Sequence, residues 1–213
     1  MTSMLATADD EKMLEDKVRR AFGDIAGQKA AKMTVARRLQ VSMLKRSDQP
    51  RNVLLFAGPS GVGKTMMASR IPRFLGTSED AVLTINLSEY VQDHEYARLV
   101  GSPPGYIGYK SGGILTNFAM EHPDGVIILD EFEKASRKVQ DVLLRAFDEG
   151  RIDSAAGESV DCRSITFVCT TNAAFDVEKK PSIGFMTQAD DDAIDVSEKR
   201  RQISERLGAP MMG

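Results

Sequence analysis

Gly58-Pro59-Ser60-Gly61-Val62-Gly63-Lys64-Thr65 sets glycines, a lysine and a hydroxyl at the spacing of a phosphate-binding loop. Glycines let the backbone wrap so that successive N–H groups converge on one anion. A helix opening at the loop's end adds its positive dipole terminus. Lys64 can then reach the β- and γ-phosphates of a nucleoside triphosphate, and the Thr65 hydroxyl can hold Mg²⁺. The flanks supply the required context. Asn52-Val53-Leu54-Leu55-Phe56-Ala57 reads as a buried strand, and residues 65–70 read as the first turns of a helix. A chance glycine-rich turn would lack both flanks, so this segment is assigned to ATP binding.

A second group of residues suits the same chemistry. Val126-Ile127-Ile128-Leu129 runs directly into Asp130-Glu131. A buried strand would carry these carboxylates to the edge of the site. There Asp130 can hold Mg²⁺, directly or through water, and Glu131 can orient and polarise the attacking water. Phosphoryl transfer asks for positioning and charge neutralisation more than covalent chemistry. Buried strands often end in an acid, but a complete phosphate loop upstream favours the functional reading. Thr170-Thr171-Asn172 closes a further apolar run. Asn172 there would lie between the first and third strands, near the γ-phosphate. An ordinary turn asparagine is the competing reading.

Along the chain, helices alternate with short apolar runs. Periodicity predicts helices over 9–22, 28–46 and 138–149, with 23–27 as a break. Continuous apolar runs at 52–57, 81–86, 125–130 and 164–170 predict parallel strands covered on both faces. The expected fold class is α/β: a doubly wound P-loop parallel sheet flanked by helices, with ligand at the strand C-terminal ends. Residues 1–24 form an N-terminal helix and lead-in, and 25–213 form the ATPase subdomain. Pro72 is expected to kink or end the helix after the phosphate loop near Arg70.

Composition excludes several classes. Hydrophobic residues make up 42% of the 213, and the formal net charge is −3 without a long basic tract. Nucleic-acid binding by bulk electrostatics is therefore not expected. No apolar run approaches a membrane span, and residues 1–12 lack the apolar core of a signal peptide. The two cysteines, Cys162 and Cys169, form no Cys-x-x-Cys pair, and a reducing cytoplasm is the natural compartment.

Together these motifs resemble an AAA+ ATPase. Ile25-Ala26-Gly27-Gln28 resembles the segment that contacts adenine in that class, which implies Ile25 and Ala26 as nucleotide contacts. Several segments are similar to the C-terminal ATPase ring of the Clp unfoldases, ClpA above all. Residues 98–109 with Gly112-Gly113 resemble the pore loop, which implies that Gly105, Tyr106, Ile107 and Gly108 grip substrate. Leu87-Ser88-Glu89-Tyr90, Asp130-Glu131-Phe132-Glu133-Lys134-Ala135 and Asp148-Glu149-Gly150-Arg151 resemble the same family. Lys180-Pro181-Ser182-Ile183-Gly184-Phe185-Met186 resembles the loop that docks on a ClpP-type peptidase. Ile183, Gly184 and Phe185 would be its tip; packing of Ile183 and Phe185 on their own domain is the alternative.

The resemblance implies a ring homo-oligomer, a hexamer in the full-length parent, that uses ATP and Mg²⁺ to unfold proteins and thread them through a pore. A ClpB-like disaggregase without a peptidase and a truncated, non-hydrolysing nucleotide-binding module are the alternatives. A DNA-acting motor fits less well, because Tyr106 and Tyr109 have only Lys110 beside them. Two departures stand out. Asn86 occupies a position where the family usually has aspartate, and the family's arginine finger, fifth strand and helical lid are expected past the end of this sequence. Arg200, Arg201 and Arg206 are substitute finger candidates, with surface charge as the competing role.

Overall fold

A computed structural model describes residues 8–42, 50, 52–106 and 109–173. In chain order these form α1 (Ala8–Phe22), α2 (Lys29–Ser42), β1 (Asn52–Ala57), α3 (Lys64–Leu75), β2 (Val82–Asn86), α4 (Tyr96–Val100) and α5 (Ile114–Glu121). There follow β3 (Val126–Asp130), α6 (Arg137–Glu149), β4 (Arg151–Asp153), β5 (Ser159–Asp161) and β6 (Thr166–Thr171). Four strands pair in parallel in the order β1-β6-β3-β2. β4 and β5 make a separate antiparallel hairpin.

The apolar runs become strands because both faces are covered. Along β3, Val126 and Ile128 enter one core while Ile127 and Leu129 enter the other. Along β6, Val168 joins the first set, and Phe167 and Cys169 join the second. The first core also takes Phe22 of α1, Leu39 of α2 and Ile71 and Phe74 of α3. Phe22 stacks on Phe74 with ring centroids 5.8 Å apart. The second core takes Leu99, Leu115, Phe118, Leu143 and Phe147 from α4, α5 and α6. Each fully buried Leu, Ile or Phe contributes about 1.5–3 kcal/mol. These two layers, more than intrinsic propensity, hold the helices.

Pro72 corrects one expectation. Helix α3 does not end near Arg70 but runs through Pro72 to Leu75. Pro72 cannot make the bond to the Ala68 carbonyl and crowds it, but it is buried with Ile71 and Phe74, and this packing carries the helix past it. The Pro72 carbonyl accepts the N–H of Gly76, the left-handed cap, and that of Thr77 at 3.0 Å. Helix α2 is described only to Ser42, so the remainder of the predicted 28–46 segment lies outside the described residues.

Both cysteines are free and buried. Burial, with a smaller contribution from Asp161, pushes the Cys162 thiol up to about 12. Burial also raises that of Cys169. Neither is poised for thiolate chemistry, as expected of small buried residues.

Candidate active site

The C-terminal ends of β1, β6 and β3 lie side by side, and the segments leaving them carry the chemistry. Gly58 follows β1 and donates its N–H to Thr171 O at 3.3 Å, so the phosphate loop starts attached to β6. The loop then turns through Gly61 at φ 83° and Gly63 at φ 91°. Side chains would strain both positions. Gly63 caps α3, whose Met67 N–H reaches back to Gly63 O at 2.9 Å. The amides of Lys64, Thr65 and Met66 stand at the helix head, where an α-helix offers them no acceptor. Dipole and amides together favour an anion there.

Lys64 is half-buried and its ammonium meets three acceptors. Nζ donates to Gly58 O at 2.9 Å, Pro59 O at 2.8 Å and Asn172 Oδ1 at 2.6 Å. The ammonium has three protons, so the head is fixed at the loop's centre. Asn172 is thus brought against Lys64 by β6 lying next to β1.

Asp130 is held by two hydroxyls. Thr65 Oγ1 donates to it, 3.0 Å from Oδ1 and 3.2 Å from Oδ2. Thr170 Oγ1 donates to Oδ1 and accepts the Glu131 N–H at 3.1 Å. Glu131 has φ 57° and ψ 50°, a left-handed conformation that costs a non-glycine residue roughly 1–2 kcal/mol. One carboxylate beside one hydroxyl is a hard oxygen donor set. It fits magnesium, which takes few protein ligands and completes its shell with phosphate oxygens and water. Among the described residues no group of three or more His, Cys, Asp and Glu could hold a metal without such help.

Other expected residues fall around this centre. Ile25 is buried in the core with Met67 and Ile71 of α3, and Ala26 beside it is exposed. The Ile25 N–H donates to Phe22 O at 3.2 Å, and its carbonyl accepts from Lys32 Nζ. Arg70 Nε donates to neighbouring Asp24 at 2.8 Å, tying this turn to α3. That bond holds the Asp24 carboxyl below the usual carboxylate range. Asn86 pairs with Asp130 in the β2–β3 register, and its Oδ1 accepts both Ser88 N–H at 3.1 Å and Ser88 Oγ at 2.8 Å.

Gly105 and Tyr106 belong to a different loop, between α4 and α5. Its ends meet tightly: a Cβ on Gly113 would lie 2.1 Å from Leu99 O. Tyr106 is 72% exposed on that loop. Ile107, Gly108, Ile183, Gly184, Phe185, Arg200, Arg201 and Arg206 lie outside the described residues. Sequence reasoning missed two contributors, Thr170 and Glu133. Glu133 Oε1 accepts the Asn172 N–H at 3.1 Å. A hydroxyl two residues before Asn172 and a third acid two residues after Glu131 were the only signals, and neither specifies a contact across strands.

A family model described as "AAA domain (Cdc48 subfamily)" matches residues 49–209. The chain belongs to this family. The AAA domain is also similar to "Chaperone protein ClpB" of Vibrio cholerae serotype O1, 41% identical over 174 residues, 80% of this chain and 20% of that protein. "Heat shock protein 104" of Schizosaccharomyces pombe is 39% identical over 79% of this chain and 19% of its own length. An "ATP-dependent Clp protease ATP-binding subunit ClpA homolog" of Trieres chinensis is 38% identical over 82% of this chain and 20% of its own. The chain thus spans about a fifth of the curated relatives it matches. It is a Clp-family AAA+ ATPase module and a nucleotide-binding one.

The geometry of this module makes Thr170 its hidden keystone, at 2% exposure. Thr170→Val keeps the shape but leaves Glu131 N–H without its acceptor and Asp130 with one donor fewer. Stability should fall by about 1–3 kcal/mol in denaturant unfolding. Thr170→Ser, which keeps the hydroxyl, should recover most of it.

Proposed function

We propose that this module hydrolyses ATP and powers the threading of unfolded polypeptide through a ring of identical subunits, a hexamer in the full-length protein. The observation that carries the reading is the meeting of Lys64, Thr65, Asp130 and Asn172 at the ends of three parallel strands. Backbone amides from Ser60 to Thr65 receive the phosphates, and Lys64 adds charge at their β and γ positions. Thr65 and Asp130 would hold Mg²⁺, which would supply charge neutralisation at the phosphate oxygens. Glu131 orients the attacking water and draws off its proton. Asn172 stands at the γ-phosphate. The turn bearing Ile25 and Ala26 receives adenine, supported by its anchorage to α3.

Tyr106 is the proposed substrate grip. Its ring projects from a loop whose ends are pinned by Gly101 and Gly113, and an aromatic surface holds a passing chain without reading its sequence. The loop offers no basic stripe for nucleic acid, and no described helix is long and apolar enough to cross a membrane. The reading takes the cytoplasm as the compartment.

A ClpP-type peptidase is the proposed downstream partner, docked by Ile183, Gly184 and Phe185. In support, one relative is named as the ATP-binding subunit of a Clp protease. The second reading is a chaperone without a peptidase, which the names ClpB and heat shock protein 104 favour.

Four outcomes follow. Lys64→Ala should weaken ATP binding, since it removes charge from the phosphates. Glu131→Gln should bind ATP as the wild type does, yet turn it over at least about a hundredfold more slowly. Nucleotide titration with a phosphate-release assay separates them, and equal loss of binding in both would reverse the assignment. In the assembled ring of the full-length protein, Tyr106→Ala should slow unfolding of a tagged stable substrate and spare ATP turnover. Removing residues 183–185 should abolish peptidase capture while leaving nucleotide binding intact. If the wild-type ring captures no peptidase, the chaperone reading takes its place.

A further inference from the structure

We propose that Glu133 is a positioning residue: its carboxylate fixes the Asn172 backbone so that the Asn172 side chain faces Lys64. The proposal rests on the reading that Asn172 and Lys64 serve ATP hydrolysis.

Strand β6 ends at Thr171, so Asn172 is the first residue past the ladder. Its N–H donates to Glu133 Oε1 at 3.1 Å, and its side-chain Oδ1 accepts from Lys64 Nζ at 2.6 Å. One residue is thereby gripped from both sides. Glu133 itself stands on a rigid support. It lies in the short turn Phe132–Lys134 after β3, where Phe132 is fully buried. Gln140 Nε2 of α6 donates to Phe132 O at 3.3 Å and to Ala135 O at 3.0 Å, bracketing the turn. Lys134 N–H closes it onto Glu131 O at 2.9 Å.

The second carboxylate oxygen argues for function over stability. Among the described residues, Glu133 Oε2 is buried without a hydrogen-bond partner. A buried acceptor left unpaired is costly, and a carboxylate more so. An apolar residue of similar size would avoid that cost. What it would lose is the acceptor that orients Asn172. The turn also carries Glu131 at its head, so one rigid element sets both the water-orienting carboxylate and, through Glu133, the asparagine opposite it.

The test compares Glu133→Leu with Glu133→Gln in the full chain, against the wild type. Three readouts are taken: thermal midpoint, hydrogen exchange at the Asn172 amide, and steady-state ATP turnover in the ring-forming protein. Glu133→Gln retains an acceptor oxygen and should match the wild type in amide protection and kcat. Glu133→Leu should fold with an unchanged or higher midpoint and lose Asn172 protection by about tenfold or more. Its kcat should fall by about tenfold or more with KM for ATP within about threefold, the scale expected of a misplaced group. A protected Asn172 amide or wild-type kcat in Glu133→Leu overturns the proposal. So does a Glu133→Gln variant as impaired as Glu133→Leu. If the wild type neither binds nor hydrolyses ATP, the functional reading fails; the exchange measurement still decides, without turnover, whether Glu133 fixes Asn172.

Discussion

Strand β6 is hydrogen-bonded to β1 on one side and to β3 on the other, so the residues at its end stand between the phosphate loop and the acidic pair. Thr170 bridges to Asp130 and Glu131, and Asn172 bridges to Lys64. Without that placement, Lys64 and Asp130 would be two motifs on neighbouring loops with nothing to fix the gap between them. Parallel pairing makes this possible, because it brings the C-terminal ends of all four strands to one edge. The charges are then organised by neutral groups: hydroxyls, an amide and backbone carbonyls.

That arrangement needs a rigid sheet, and rigidity comes from covering both faces. Val126 and Ile128 pack towards α1, α2 and α3, while Ile127 and Leu129 pack towards α4, α5 and α6. Helix α3 is shared between the two tasks. Its head presents amides to the site, and its Ile71 and Phe74 anchor it under the sheet. The Arg70–Asp24 bond ties the Ile25 turn to the same helix. The left-handed Glu131 is tolerated in this setting, since neighbours on both sides determine its backbone.

Much of this was legible in the residues alone. The strands at 52–57 and 126–130 were readable because parallel strands covered on both faces are apolar throughout, and the phosphate loop because its glycines answer a local need. Asn172 was readable because it closes such a strand. Other features were not. The hairpin of β4 and β5 offers one buried residue per strand, Ile152 and Val160, which is too short a pattern to register. Helix α4 has only five residues. The end near Arg70 expected from Pro72 does not occur because the local rule ignores packing: Ile71, Pro72 and Phe74 are buried, and that burial offsets the bond the missing N–H would have made. Thr170 and Glu133 act through contacts spanning about 40 residues of sequence, set by strand register that no local pattern encodes.

The central claim is that MgATP seats its phosphates on the amides of the loop and α3, beside Lys64 and Asn172. Backbone and side-chain amide NMR during a MgATP titration tests it most directly. The account predicts saturable shifts at Gly61, Gly63, Lys64, Thr65 and the Asn172 side chain, with the Thr65 shift diminished when magnesium is withheld. Saturation that leaves these resonances unmoved while others respond, or no response at millimolar MgATP, would contradict it.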